Sequence, residues 1–277
     1  MLFNEIVYGP IHSRRLGVSL GMNLMPLTAK CCTFDCIYCE CGFNNDFGED
    51  ACGLSEGQRR IVLPTRSEVA EALEAKLKAL QEEHVTPDVI TFSGNGEPTL
   101  HPDFLGIIED TCRLRDRYCP SAKVSVLSNA TQLGRHDVVR ALLMCDNRIL
   151  KLDSAITSTM RVIDQPVNAD LTAERIIDML RQFNGHFTLQ TCFLRGTVSE
   201  PNPARPKAYL LGAVDNTTPE ELNAWYQAVR LLKPEHIMIY VIDRATPVKD
   251  LHKISPDEMN AIAQPLRDEG FDITVSC

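Results

Sequence analysis

Hydrophobic positions along the chain switch between a spacing of two, typical of strands, and a spacing of three or four, typical of helices. The first clear strand is predicted over residues 16–24, where Val18, Leu20, Met22 and Leu24 alternate with small or polar residues. A helix is predicted to begin after Thr65, because Thr65-x-x-Glu68 has the form of a capping box. Apolar residues then continue at helical spacing, at Val69, Leu73, Leu77 and Leu80.

The remaining pattern alternates strand and helix. Further strands are predicted over residues 88–93, 123–129, 148–153, 186–195 and 236–242, and a short one over 271–276. Helices are predicted after residues 101–103, over about 136–145, from near residue 170, and after the capping signals at Thr218 and Ser255. Six βα units in sequence predict an α/β fold with a parallel sheet and outer helices, which we interpret as a partial (β/α)6 TIM-like barrel. No linker divides the sequence, so we expect one domain over residues 1–277.

Several predicted strands carry polar side chains on one face. Central parallel strands that are covered on both faces are normally almost entirely apolar. The polar positions that share a face are Lys151 with Asp153, Thr188 with Gln190 and Cys192, Thr91 with Ser93, and Ser125 with Asn129. We favour a polar cavity inside the partial barrel over a few isolated, hydrogen-bonded core residues. Ligands are expected at the carboxyl ends of the strands.

Composition limits the possible partners and location. The formal net charge of −9 disfavours a strong nucleic-acid footprint, although Arg14-Arg15 could contribute to a local basic patch. No apolar run is long enough to cross a membrane, and the first five residues lack the features of a secretory signal. We therefore expect a cytoplasmic protein that does not enter a membrane. In that compartment the eleven cysteines are better interpreted as cluster ligands and buried thiols than as disulfides, with Cys112, Cys119 and Cys145 as packing residues.

Three cysteines, Cys32, Cys36 and Cys39, stand at CxxxCxxC spacing, with Tyr38 just before the last. Protein thiolates normally hold all four irons of a [4Fe–4S] cluster. Three thiolates on one short loop would leave one iron open for a small chelating ligand. The spacing matches neither ferredoxin pattern and lacks the paired CxxC groups of a structural zinc site.

The second signal is Gly94-Asn95-Gly96-Glu97-Pro98, directly after the predicted strand at residues 88–93. Two glycines allow the main chain to approach a ligand closely, and Glu97 offers a carboxylate to an ammonium group. An ordinary turn with a solvated glutamate is the alternative. The position one βα unit after the cysteine loop favours a ligand-binding role.

The cysteine loop, over about residues 25–44, resembles the cluster loop of the radical S-adenosylmethionine (AdoMet) superfamily, and the glycine-glutamate stretch resembles its amino-group motif. Further strings resemble the branch grouped with wyosine-base synthases, which remodel a guanine in tRNA. They are Tyr8-Gly-Pro, Ser13-Arg-Arg-Leu-Gly, Asn23, Ser93-Gly-Asn-Gly-Glu-Pro-Thr, Ser128-Asn129 and Lys151-Leu-Asp153. The resemblance implies a [4Fe–4S] cluster on Cys32, Cys36 and Cys39, with AdoMet as the second cofactor.

The same resemblance implies the residues that bind AdoMet. Tyr38 would contact adenine through its main chain, and Gly94, Gly96 and Glu97 would engage the amino group. Asn129 and Asp153 would face the ribose or carboxylate, and Tyr240 and Ile242 would flank adenine. Asn95, Ser128 and Gln190 complete the predicted cofactor-binding set. Lys151 is a candidate catalytic residue that could form a Schiff base if burial lowered its pKa, or could simply pair with Asp153.

Three features depart from the wyosine branch. Those synthases carry extra cysteines ahead of the cluster loop for a second cluster, whereas this chain has none before Cys31. The acidic balance suits tRNA poorly. The segment 196–216, with Arg205 and Lys207, is longer than a usual connection and could be a substrate lid or a surface insertion. For Cys31, Cys41, Cys52 and Cys277 we favour free thiols over a second cluster.

The resemblance implies a radical AdoMet enzyme of oxidoreductase or transferase type. One electron, from flavodoxin or ferredoxin, would cleave AdoMet to a 5′-deoxyadenosyl radical that takes hydrogen from a substrate. A modified tRNA base, a peptide and a glycine of a partner enzyme all remain open as substrates. From another class, a noncatalytic iron–sulfur or zinc-binding protein remains the alternative.

Overall fold

The computed structural model describes residues 2–13, 17–44, 62–204 and 209–277. The strands described are β1 Val7–Ser13, β2 Gly17–Met22, β3 Val89–Phe92, β4 Lys123–Ser128, β5 Asn147–Lys151, β6 Thr188–Cys192, β7 Leu194–Val198, β8 Gly212–Asp215, β9 His236–Tyr240, β10 Leu251–Lys253 and β11 Ile273–Ser276. The helices described are α1 Arg66–Glu82, α2 Phe104–Tyr118, α3 His136–Met144, α4 Thr157–Asp164, α5 Ala173–Leu180, α6 Pro219–Leu232 and α7 Pro256–Asp268.

Eight of these strands belong to a mostly parallel sheet with the order β1-β2-β3-β4-β5-β6-β9-β11, and β10-β7-β8 form a small second sheet. β1 is antiparallel to β2, whereas β2, β3 and β4 run parallel to one another, as do β6, β9 and β11. The described strands do not close into a barrel. The prediction of an α/β fold with parallel strands and outer helices is confirmed.

The chain divides into two compact units. The first comprises Met1–Cys32 and Phe47–Ile149, and the second Thr33–Asp46 and Leu150–Cys277. In the first unit, β3 is buried over its whole length, as expected for a central parallel strand, and helices α1, α2 and α3 pack in sequence. Ile90 and Phe92 of β3 are fully buried, and burial of each such side chain stabilises the fold by about 1.5–3 kcal/mol.

The second unit has a core around Trp225 of α6. The indole ring packs edge-on against Phe193, with centroids 5.2 Å apart, and its Nε1–H donates to the hydroxyl of Thr191 at 3.0 Å. A further buried cluster surrounds Ile37 and includes Ile163 of α4, Leu194 and Val198 of β7, and Val214 of β8. This cluster places the cysteine loop from residue 33 onward against apolar side chains, which fix its course.

Local signals located most of the elements. Both predicted capping boxes are formed, at Thr65 with Glu68 and at Ser255 with Glu258, and the hydroxyl of Thr218 accepts from the N–H of Glu221. The features that were not predicted include strands β1, β8 and β10, helix α4, and the break that separates β6 from β7 at Phe193. The N-cap of α4 is Ile156, which provides no side-chain hydrogen bond and therefore no sequence signal.

None of the described helices combines the length and the apolar character needed to cross a membrane. Several residues discussed from the sequence, Arg14, Arg15, Cys52, Arg205 and Lys207, lie outside the described residues. The single-domain organisation and the roles proposed for segment 196–216 stay predictions.

Candidate functional site

The glycine-glutamate loop of the first unit runs alongside the residue that precedes the first predicted cluster ligand. The N–H of Cys31 donates to the carbonyl of Asn95 at 2.8 Å, and the N–H of Glu97 donates to the carbonyl of Cys31 at 3.1 Å. Gly96 lies between these two bonds with φ of +147°. A Cβ at Gly96 would overlap the main chain of Cys31, so only glycine permits this approach.

Asn95 is fully occupied by protein partners. Its side-chain oxygen accepts from the N–H of Phe3 at 2.8 Å, and its amide nitrogen donates to the carbonyls of Phe3 and Pro26. Its main-chain N–H donates to Oδ1 of Asn23 at 3.0 Å, and its carbonyl accepts from Cys31. A contact from Asn95 to a cofactor would have to replace one of these hydrogen bonds. In this structure Asn95 stabilises the conformation of the loop.

Gly94 also lies too close to another residue to carry a side chain. Its φ is +133°, and a Cβ there would lie 2.6 Å from Oδ1 of Asn23. Asn23 Nδ2 is buried and finds no hydrogen-bond partner among the described residues. An unsatisfied buried amide donor costs about 1–3 kcal/mol, which a nearby acceptor would recover.

Glu97 presents a carboxylate that is almost completely buried. Its Oε1 accepts from the hydroxyl groups of Ser128 at 2.8 Å and Thr99 at 2.5 Å, and its Oε2 accepts from the N–H of Asn129 at 2.7 Å. Burial raises the pKa of Glu97, while these hydrogen bonds act in the opposite direction. The main-chain N–H of Thr99 also donates to Oε1, at 3.1 Å. All four donors are neutral, and a cationic amino group would stabilise the ionised form further.

Asn129, at the end of β4, connects this carboxylate to a cysteine. Its amide Nδ2–H donates to Sγ of Cys32 at 3.5 Å, while its main-chain N–H donates to Glu97. Its Oδ1 accepts from the main-chain N–H and the hydroxyl of Thr131. The first predicted cluster ligand and the predicted amino-group acceptor therefore share one partner.

A second cysteine has a charged donor. In the second unit, Lys151 Nζ donates to Sγ of Cys36 at 3.0 Å, forms an ion pair with Asp164, and lies 3.1 Å from the carboxylate of Asp153. Sγ of Cys36 also lies 3.6 Å from Oδ1 of Asp164. The side chains of Lys151, Asp153 and Asp164 are 11%, 0% and 2% exposed, so water screens these charges weakly.

Lys151 forms ion pairs with two buried carboxylates, Asp153 and Asp164. Burial by itself would lower the pKa of Lys151, but Asp153 and Asp164 outweigh burial and hold the pKa well above its usual value. Burial raises the pKa of Asp164 to about 7, with Lys151 acting against this shift. The structure shows the charge arrangement with Asp153, and the catalytic role of Lys151 stays a prediction.

Tyr38 belongs to the same buried network. Its hydroxyl donates to Oδ2 of Asp153 and accepts from the hydroxyl of Tyr240 at 3.4 Å, while Oδ1 of Asp153 accepts from the N–H of Cys192 at 2.9 Å. Burial, and then the charge of Asp153, raise the pKa of Tyr38 well above its usual value. The ring of Tyr38 also lies 5.0 Å from Lys151 Nζ, within range of a cation–π contact.

The other predicted residues of the second unit are buried or partly buried. Gln190 is 8% exposed, and its carbonyl accepts from the N–H of Leu152 at 3.0 Å. Ile242, like Tyr38 and Tyr240, packs against the apolar cluster around Ile37. The N–H of Cys39 donates to the carbonyl of Cys36 at 3.1 Å, which forms a turn between these two cysteines.

The polar strand positions mostly satisfy one another. Ser19 and Thr91 hydroxyls are 2.9 Å apart, and Nδ2 of Asn147 donates to the hydroxyl of Ser125 at 2.8 Å. The hydroxyl of Thr191 donates to the carbonyl of Leu152 at 2.7 Å. These pairs agree with the alternative of satisfied core residues, and they reduce the support for an extensive polar cavity.

The predicted metal ligands fit an iron–sulfur cluster in their chemistry. Cys32, Cys36 and Cys39 form no disulfide, and two of them already accept N–H···S hydrogen bonds. Such bonds are typical of cluster cysteines. Among the described residues no group of three or more His, Cys, Asp or Glu is arranged to hold a single metal ion. Each cysteine of a cluster binds a different iron, so a cluster does not require that convergence.

The remaining cysteines separate into two cases. Cys41 and Cys277 form no disulfide, whereas the sulfur of Cys31 is disulfide-bonded, so the free-thiol interpretation is wrong for that residue. Cys112, Cys119 and Cys145 are free thiols. Burial raises the pKa of all three, although Cys112 is only partly buried, which is consistent with packing roles.

Sequence reasoning missed two residues of these networks. Asp164 contacts Cys36 and Lys151, but it ends α4, a helix that carries no cap signal. Asn202 donates to Oδ2 of Asp35, inside the cysteine motif, at 2.5 Å. The only available signal was that Asp35, between two candidate ligands, needed a partner if buried.

Comparison with solved structures defines the class of this fold. A radical SAM methyltransferase from Sphaerobacter thermophilus matches with a TM-score of 0.60 and 14% identity, over 93% of this chain and 65% of that chain. The structure of TYW1 with a bound lysine-pyruvate adduct matches with a TM-score of 0.60 and 15% identity, over 91% of this chain and 74% of that chain. Streptococcus suis SuiB bound to S-adenosylmethionine matches with a TM-score of 0.57 and 13% identity, over 91% of this chain and 51% of that chain. The chain therefore has the fold of radical AdoMet enzymes, and the predicted resemblance, including that to a wyosine synthase, is confirmed.

Sequence relatives add a more particular similarity. A UPF0026 protein from Synechocystis is 29% identical over 88% of this chain and 77% of its own length. One from Methanocaldococcus jannaschii is 29% identical over 66% of this chain and 50% of its own length. The GTPase Obg of Brachyspira hyodysenteriae is 28% identical over 91% of this chain, which spans only 32% of that protein. This sequence contains no GxxxxGK[ST] phosphate-binding motif. No protein-family model matches the chain.

Proposed function

We propose that this chain is a radical AdoMet enzyme in which Cys32, Cys36 and Cys39 hold a [4Fe–4S] cluster and Glu97 accepts the amino group of AdoMet. The observation that carries the proposal is the chain of contacts Cys32–Asn129–Glu97. Asn129 donates from its side chain to the cysteine and from its main chain to the carboxylate. A noncatalytic iron-binding protein would not need a buried glutamate that is linked through Asn129 to a cysteine ligand.

Bound to these residues, the cluster would supply one electron to AdoMet and thereby generate methionine and a 5′-deoxyadenosyl radical, which takes hydrogen from the substrate. The residues of the protein would orient AdoMet and exclude water from the site. Glu97 is held in one rotamer by four neutral donors, so it is preorganised for an ammonium group. The side chain of Asn23 lies against Gly94, and its buried Nδ2 has no hydrogen-bond partner among the described residues, so a cofactor acceptor within reach would satisfy it.

A modified tRNA base is the first substrate class to test, because the sequence strings resemble the wyosine branch and TYW1 shares the fold. A peptide is the second, because SuiB, solved with its precursor peptide, shares the fold as well. The net charge of −9 favours the peptide over tRNA. Activation of a partner enzyme's glycine is the third class to test. Flavodoxin or ferredoxin is the proposed electron donor, and the cytoplasm the proposed location.

The test is anaerobic reconstitution with iron and sulfide, followed by dithionite and AdoMet and an assay of 5′-deoxyadenosine. The wild type is expected to produce 5′-deoxyadenosine, and Cys36→Ala to produce none. Cys112→Ala is the matched control, because Cys112 is a partly buried thiol in helix α2 with no predicted ligand role. It is expected to behave as the wild type.

Two results would reject the proposal. If the reconstituted protein carries a full cluster but neither binds nor cleaves AdoMet, the chain is a noncatalytic iron–sulfur protein. If Cys36→Ala retains full iron content and product formation, the cysteine assignment is wrong. Replacing dithionite with reduced flavodoxin or ferredoxin then tests the proposed donors.

A further inference from the structure

We propose that Lys151 is a positioning residue that raises the reduction potential of the cluster by donating a charged N–H···S hydrogen bond to Cys36, and that Asp164 limits this effect. The inference rests on the proposed function, because it requires the cluster to be bound at Cys36. It concerns how readily that cluster accepts its electron.

The geometry is a triangle of close contacts. Lys151 Nζ lies 3.0 Å from Sγ of Cys36 and pairs directly with Oδ1 of Asp164, and that oxygen lies 3.6 Å from the same sulfur. In the thiol form, Cys36 donates to Asp164. As a cluster ligand Cys36 loses its proton, so a thiolate and a carboxylate would face each other at short range. The ammonium group of Lys151 contacts both and offsets the repulsion between these two negative charges.

Charge and hydrogen bonding predict the sign of the effect. One electron from an external donor of low potential reduces the cluster from the 2+ to the 1+ state, and no bond is made or broken in that step. The added negative charge spreads onto the cysteine sulfurs. A cationic N–H donor stabilises the reduced state more than the oxidised state and raises the potential, whereas a nearby carboxylate does the reverse.

The first cysteine provides an internal comparison. Sγ of Cys32 accepts from the neutral amide of Asn129 at 3.5 Å, a longer bond without a net charge on the donor. The bond to Cys36 is shorter and its donor is charged. Charge-assisted hydrogen bonds are roughly twice as strong as neutral ones, so Lys151 is the donor whose removal should change the potential most.

The experiment measures the midpoint potential of the reconstituted holoenzyme without AdoMet, by an anaerobic redox titration that follows the paramagnetic reduced cluster. Lys151→Met is expected to shift the potential to a more negative value. Asp164→Asn is expected to shift it to a less negative value, because Lys151 then keeps its charge without the opposing carboxylate. The opposite signs distinguish tuning from a general disturbance of the site.

Lys253→Met is the matched control. Lys253 also pairs with a carboxylate, that of Asp243 at 3.2 Å, but the side chains of Lys253 and Asp243 are 53% and 40% exposed. It is expected to leave the potential unchanged. Iron and sulfide content and the melting temperature of the cluster-free protein are measured for each variant, so that a folding defect is recognised.

If Lys151→Met has the wild-type potential, the proposal is overturned. If Lys151→Met fails to assemble a cluster, Asp164→Asn decides: a less negative potential supports the proposal, and the wild-type value overturns it. Failure of the proposed function would look different, because the wild type itself would then assemble no cluster or would leave AdoMet intact.

Discussion

The main chain of Gly96 runs directly against that of Cys31, one residue before the first predicted cluster ligand. The two residues form an isolated parallel bridge within the first unit. The contact uses only main-chain atoms of Cys31. It joins the cysteine motif to the glycine-glutamate motif, which are separated by more than fifty residues of sequence.

Gly96→Ala is therefore expected to lower the free energy of unfolding by roughly 3 kcal/mol or more, from overpacking together with strain at positive φ. Iron retention after reconstitution should fall as well. Denaturant unfolding and iron analysis measure both. The matched control is Gly134→Ala, where a Cβ would meet nothing within 4 Å, and a change within about 0.5 kcal/mol is expected. Equal stability of the two variants would contradict the role of the bridge.

Glu97→Gln should weaken AdoMet binding. A hydrogen bond to a charged group contributes about 1.5–3 kcal/mol, which corresponds to a Kd increase of roughly 10- to 100-fold. Ser128→Ala removes one neutral donor to Glu97 and leaves the carboxylate, so an increase of about tenfold or less is expected. Calorimetric titration of reconstituted protein provides both values. Wild-type affinity in Glu97→Gln would remove the amino-group assignment.

Tyr38→Phe separates a side-chain role from a main-chain role. The hydroxyl of Tyr38 donates to the buried Asp153, and its loss should destabilise the protein by about 1–3 kcal/mol. AdoMet affinity should not change, because the predicted adenine contact is made by the main chain. Tyr118→Phe, whose hydroxyl bonds the more exposed Glu74, is the control and should cost less stability. Weaker AdoMet binding without a loss of stability would contradict this division.

His101 gives a pH dependence of stability. Its Nδ1 accepts from the N–H of Asp103 at 3.1 Å, and its Nε2 lies 2.8 Å from the carbonyl of Pro64, so the folded protein requires the neutral ring. Burial lowers the pKa of His101 from its ordinary value of 6.5. As the pH falls below that value, the unfolded chain takes up a proton that the folded chain does not. Stability is therefore lost toward acid pH, at a rate of at most about 1.4 kcal/mol per pH unit.

His101→Asn retains an acceptor for Asp103 and removes the titration. Urea unfolding at several pH values between 7.5 and 5 should show a shallower loss of stability in this variant than in the wild type. His136→Asn, at an exposed position in α3, is the control and should follow the wild-type curve. Parallel curves for all three proteins would show that His101 is not responsible.

Features encoded by short local patterns were predictable. Thr65 with Glu68 and Ser255 with Glu258 specify helix starts within four residues, and both are formed. The cysteine spacing and the position of Glu97 are equally local. Helix α4 was missed because Ile156 offers no cap, although its last residue, Asp164, contacts Cys36 across 128 positions of sequence.

Partners that depend on tertiary structure were not predictable. The polar faces of the strands were correctly located, yet Ser19 finds Thr91 and Ser125 finds Asn147, pairings that no single-strand pattern reveals. The pKa of Lys151 is raised by Asp153 and then by Asp164, and no sequence pattern placed Asp164 nearby. Gly94 and Gly96 were recognised as special, but their close neighbours are Asn23 and Cys31.

The hydrogen bonds of the Asn95 side chain affect how saturation mutagenesis at this position should be interpreted. Its amide mimics a peptide group, with one acceptor and one donor matched to the main chain of Phe3. Aspartate lacks the donor, and glutamine is one methylene too long for a fully buried position. A survey of variants should therefore find almost no replacement tolerated at residue 95. Such intolerance inside a cofactor motif is easily taken as proof of ligand contact, whereas here it would report the cost of holding a loop in place.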